Sequence, residues 1–86
     1  MSTQEQREKL AALLESVVAG RLPAGEALAE TEKWADVPWK ERLLNHAWHA
    51  LVHYEHDADI RSRDPSYAQS QREGLRMWMK RLRGVR

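Results

Sequence analysis

The chain predicts an all-α fold, a compact antiparallel four-helix bundle, and three observations lead there. Leucine, valine, alanine and tryptophan recur at three- and four-residue intervals in separate blocks, the spacing that lines apolar side chains along one helix face. Glycine, proline, serine and aspartate fall between those blocks, where helices end and begin. No stretch alternates apolar and polar residues with the period of a half-buried strand. With 86 residues, 42% of them hydrophobic, the chain 1–86 makes a single domain and is too short for two cores.

The first helix is expected over 4–19. Ser2 with Glu5, or Thr3 with Gln6, has capping-box spacing. Leu10, Leu13, Leu14, Val17 and Val18 then form the buried stripe, and Gly20 provides the left-handed residue that stops the helix. The stretch Gly20 to Gly25, GRLPAG, has the glycine spacing of a phosphate loop, but Glu26 and Ala27 stand where Lys and Ser or Thr are needed. It reads as a turn. Pro23 suits a first helical position, and Ala24, Ala27, Leu28, Thr31 and Ala35, with Trp34 beside them, form the face of a second helix over 24–34.

Asp36 followed by Val37-Pro38 marks another start, so a third helix is expected over 38–57. Asp64 as N-cap and Pro65 as first helical residue open the fourth, over 65–83. On it Tyr67, Ala68, Gln71, Leu75, Trp78, Met79 and Leu82 share the inner side, and Arg72, Arg76, Lys80 and Arg83 the outer. Gly74 costs this helix about 1 kcal/mol relative to alanine, which close approach of another helix would offset. Ile60 is expected to anchor the preceding connection in the core, with Arg61 and Arg63 paired to nearby carboxylates. Asp57, Asp59 and Asp64 begin like a calcium loop, but Arg61 takes a ligand position and the loop glycine is missing. Capping is the reading for these aspartates.

Composition narrows the function. The absence of cysteine excludes disulfides, thiolate metal sites and a cysteine nucleophile. The opening MSTQEQREKL has no signal-like apolar core, and no run approaches the roughly 18 apolar residues of a membrane span, so cytoplasmic residence is expected. A net charge of +1 hides a split. Residues 1–60 carry six Lys or Arg against eleven Asp or Glu, a balance of −5, and residues 61–86 carry eight against two, a balance of +6. Either the two halves complement one another internally, or the basic end meets an outside partner.

All four histidines lie between Trp39 and Asp59. At about 100° per residue, His46, His49, His53 and His56 fall in one stripe, largely opposite the leucine, alanine and tryptophan face of the third helix. Three uses are open to it. The i,i+3 and i,i+4 spacings among His46, His49, His53, His56 and Asp57 allow two or three ligands to a divalent metal such as zinc, nickel or copper. However, the central HALVH lacks the glutamate of a zinc hydrolase motif, and no Glu-x-x-His pair occurs. Trp39 with His46, His49 and His53 could instead form an amphipathic patch for a protein partner or a symmetric homodimer. The plain reading is a row of solvated imidazoles, which would repel one another once protonated and change stability or self-association between about pH 5 and 7.

The segment LESVVAGRLPAGEALAETEKWA resembles the leucine-rich helix, Gly-Arg turn and Ala/Trp helix of small immunity-like proteins. HALVHYEHDADIRSRDPSYAQSQREGL resembles a histidine- and aspartate-rich block of small bacterial proteins of unknown function. Colicin-type immunity proteins, four-helix proteins of this size that bind a nuclease toxin through an acidic helical surface, are a more distant likeness. Their short third helix has no counterpart in the pattern predicted here, and no functional residue is carried over. The resemblance implies a small bacterial protein that binds another protein.

No convergent acid, base and nucleophile is visible, so an enzyme is not expected, and no cofactor beyond a divalent metal is indicated. The favoured function is protein binding. The alternatives are metal binding by the histidine stripe and nucleic-acid binding by Arg72, Arg76, Lys80 and Arg83, the latter without the exposed aromatic platform that single strands use.

Overall fold

The computed structural model describes residues 2–34 and 41–84. Among them are five helices and no strand: α1 Thr3–Val18, α2 Ala24–Glu32, α3 Arg42–His56, α4 Ala58–Arg63 and α5 Pro65–Leu82. The Cα radius of gyration is 12.3 Å, close to the ~12 Å of a compact chain of this length.

Each boundary has a local cause. Ser2 Oγ accepts from the Glu5 N–H at 3.2 Å and caps α1, as its spacing predicts. The other end is a Schellman motif: Gly20 takes φ +76°, its N–H donates to the Val17 carbonyl, and the Arg21 N–H donates to that of Ser16. Pro23 is extended and acts as the cap of α2 rather than its first residue. The expected opening of the third helix at Pro38, with Asp36 before it, lies outside the described residues. The helix itself begins at Arg42, because Glu41 is extended and its carboxylate accepts from the Leu44 N–H at 2.9 Å. Asp64 caps α5 through the Tyr67 N–H, with Pro65 at the first position.

The connection between the last two long helices departs from expectation. It is not a plain loop: α4 inserts one and a half turns between Asp57 and Asp64. Ile60 does not anchor it in the core, being 43% exposed. The six-residue helix turns that side chain outward, and a polar network described below does the anchoring.

Leu10, Ala11, Leu14 and Val17 of α1, Ala24 and Ala27 of α2, Leu44, Ala47 and Leu51 of α3, and Leu75 and Leu82 of α5 form the buried core. Leu13, Leu28 and Trp78, also expected inside, pack against it half-buried, as do Leu43 and Tyr54. Helix α5 packs most extensively on α1 and next on α3. Trp48 crosses from α3 to α2, where its indole N–H donates to the hydroxyl of buried Thr31 at 3.2 Å, so its polar edge is satisfied inside.

Candidate functional site

Helices α3 and α5 run in opposite directions, with Asp57 opposite Tyr67 at one end and His46 opposite Trp78 at the other. The first end is latched. The Asp57 carboxylate accepts from the Tyr67 hydroxyl at 2.6 Å and the Gln71 amide at 2.9 Å. Arg61 of α4 donates to the Gln71 carbonyl oxygen at 3.0 Å and to the backbone carbonyl of Tyr54. Its guanidinium also lies 3.5 Å from the centre of the Tyr54 ring, a cation–π contact. The expected pairing of Arg61 with a carboxylate is therefore corrected, since its donors go to Tyr54 and Gln71. Arg63 reaches the Asp59 backbone carbonyl at 3.3 Å.

These contacts shift two groups. The Tyr67 hydroxyl, more than any other neighbour, holds the Asp57 carboxyl below its ordinary 3.8. In return, the Asp57 carboxylate pushes the Tyr67 phenol above 10.0. A hydrogen bond that favours the carboxylate must disfavour the phenolate that would lose it.

The other end is open. A cleft of about 380 Å³ is lined by Glu41, Arg42, Leu43, His46, Trp78 and Arg81. A second, of about 190 Å³, continues along the seam between Ala50, His53, Tyr54, Gln71, Gly74, Leu75 and Trp78. Trp78 lines both. Its ring is 5.8 Å from that of His46 and 5.0 Å from the Arg81 guanidinium. The Arg7 guanidinium holds Glu41 at 2.7 Å. Partial burial opposes ionisation of Glu41, but the Arg7 hydrogen bond and the Leu44 and Leu43 N–H groups outweigh it and lower its pKa.

Gly74 is the least expected member. It sits in the middle of α5, and a Cβ built there would meet nothing within 4 Å. The close helix approach that would explain the glycine is absent, so this expectation is corrected. What the missing side chain leaves is open space beside Trp78.

The histidines predicted as one surface are all exposed, but they divide. His46 and His53 line the two clefts. His49 and His56 line neither, and His49 lies edge-on to Trp48, ring centres 5.1 Å apart. Trp39, the aromatic anchor expected with them, lies outside the described residues. Among the described residues no three His, Asp or Glu side chains gather where a metal ion could be held, so His46, His49, His53, His56 and Asp57 stand in a row rather than a cage.

The basic face of α5 is broken up. Arg72 donates to Gln69 at 3.2 Å, and Arg83 pairs with Glu15 of α1 at 2.7 Å. The Arg83 hydrogen bond lowers the Glu15 pKa. Arg76 and Lys80 are exposed. Arg83 with Glu15 is the one ion pair among the described residues that joins the basic end to the acidic half, and the charge of Arg61 also acts on Asp57. Among the described residues no helix is long and apolar enough to cross a membrane.

Sequence reasoning missed Trp78, Gly74 and Met77 as site residues. Trp78 has the helical position of a core residue, and only the depth of α3 beside it shows that its edge stays open. Met77, 42% exposed, lies next to it on the outer flank. The signal available was Gly74, a helix-weakening residue within a well-capped helix. No protein-family model matches the chain, and neither characterised proteins nor solved structures give a match.

Proposed function

We propose that the chain is a protein-binding module and that the open end of the α3–α5 seam is its docking site. Its four long helices, α1, α2, α3 and α5, are read as an antiparallel bundle, with α4 a helical turn in the last connection. The observation that carries the reading is Gly74: the residue costs α5 roughly 1 kcal/mol of helix propensity and no neighbour needs the space. A glycine in mid-helix with open space where its side chain would stand leaves a gap in the surface that another molecule can fill. Half-buried Trp78 with Arg81 above it is the kind of residue pair that concentrates binding energy at protein interfaces, and Met77, the residue before Trp78, is an exposed and adaptable apolar side chain. The immunity-like resemblance agrees on protein binding but not on charge, since this cleft is ringed by cations.

A photo-reactive residue placed at Met77, in cells that make the protein, should give a discrete cross-linked species. The same group at exposed Glu8 of α1 should not give it, and Gly74→Leu, which places a side chain in the smaller cleft beside Trp78, should abolish it. Identical products from both positions, or none from position 77, would refute the docking site.

A further inference from the structure

Resting on that reading, we infer that the cleft's occupant is an acidic segment of a partner protein: a short stretch that seats one apolar side chain on Leu43 and Trp78 and pairs flanking carboxylates with Arg42 and Arg81. Charge complementarity points there: of the described residues around the larger cleft, Arg42 and Arg81 are cationic and Glu41 alone is acidic. Glu41 has no charge to spare. One of its oxygens accepts from Arg7 at 2.7 Å and the other from the Leu44 N–H at 2.9 Å, so it is held toward α1 and the start of its own helix. Arg42 and Arg81 form no ion pair among the described residues.

Two guanidinium groups with no ion-pair partner among the described residues, beside an apolar floor, favour a ligand that brings both carboxylate and hydrocarbon. A guanidinium presents planar, paired donors that match a carboxylate. Arg81 is partly ordered already by its stacking on Trp78, so less side-chain freedom is lost when it pairs.

A nucleic acid fits less well. At about 100° per residue, Arg76 and Lys80 lie roughly 160° around α5 from Trp78, on the far flank, so no row of cations continues from the cleft as a phosphate backbone requires. The Trp78 ring is flanked by His46 and Arg81 and is not a free face on which a base could stack.

The test is a selection of random peptides on the immobilised full chain, followed by NMR mapping of the enriched sequences. The inference expects peptides that combine an apolar residue with two or more Asp or Glu. They should shift the Trp78 indole and the Gly74 amide, and should bind at least tenfold more weakly to Arg42→Glu/Arg81→Glu, whose helicity is unchanged because both residues are exposed. Enrichment of neutral or basic peptides at those same resonances would overturn the acidic occupant while leaving the docking site standing. Enrichment that maps elsewhere, or no enrichment, would overturn both. Tighter binding of a single- or double-stranded oligonucleotide at Trp78 would assign the cleft to nucleic acid, and concentration-dependent dimerisation lost in Gly74→Leu would assign it to a second copy. Either result sinks the inference.

Discussion

The two ends of the α3–α5 seam are made by the same pair of helices, yet one is shut and the other is not. At the Asp57 end a carboxylate, a phenol, an amide and a guanidinium satisfy one another across three helices. At the Trp78 end Arg42 and Arg81 gather with Glu41 as the one carboxylate among the described residues, and Glu41 is engaged by Arg7 and the α3 backbone. The latched end has its donors and acceptors matched within the protein, whereas at the open end Arg42 and Arg81 have no ion-pair partner among the described residues, which an outside carboxylate can supply.

The predictions set these ends against each other. Leu75 lies under the middle of the seam, 2% exposed, and Leu75→Ala should cost about 3 kcal/mol in chemical denaturation. Because it supports both ends, that loss should come with loosening at Tyr67 and Trp78 together; hydrogen exchange that rises at one end alone would mean the seam is not one unit. Glu41→Ala removes a cap and an ion-pair partner, and should cost roughly 1 kcal/mol after allowance for solvent screening. It should nevertheless strengthen binding of an acidic peptide, since it removes the one carboxylate among the described residues that line the cleft. Gly74→Ala should raise stability by about 0.5–1 kcal/mol, because a Cβ there meets nothing. A lower melting temperature would show that the gap has a packing role after all.

The latched end also carries a pH signature. The Asp57 pKa is lowered in the folded protein, chiefly by the Tyr67 hydroxyl. The latch therefore contributes fully above the ordinary carboxyl value of 3.8, and its contribution is lost as the pH falls through the lower folded value. Tyr67→Phe should flatten the fall in stability at acid pH and raise the Asp57 pKa measured by carboxyl NMR. An unchanged Asp57 titration would remove the latch from the account, and the Trp78 end should be indifferent to the change.

Much of this was legible in the residues. Ser2, Gly20, Asp64 and Pro65 act through neighbours one to four positions away, so their spacing alone indicated where helices begin and end. The leucine stripe of α1 and the inner face of α5 followed from period. Long-range choices did not. That Glu41 pairs with Arg7 depends on where α1 lies, and that Arg61 donates to Tyr54 and Gln71 rather than to the nearby aspartates depends on α4, a helix too short to announce itself by period. Ile60 was misplaced for the same reason. The histidine stripe was correctly read as lying away from the core, but one helix cannot show which of its members border a neighbour. Only the packing of α5 separates His46 and His53 from His49 and His56.

The central claim, that the open end of the seam is built to receive a partner, is tested most directly by amide and indole NMR shifts on titration with an acidic, apolar-anchored peptide selected on the protein. The account predicts shifts concentrated at the Trp78 indole, the Gly74 amide and the His46 ring, with the Tyr67 signals still and the response lost in Gly74→Leu. Shifts centred instead on Arg76 and Lys80, on the far flank of α5, would contradict it.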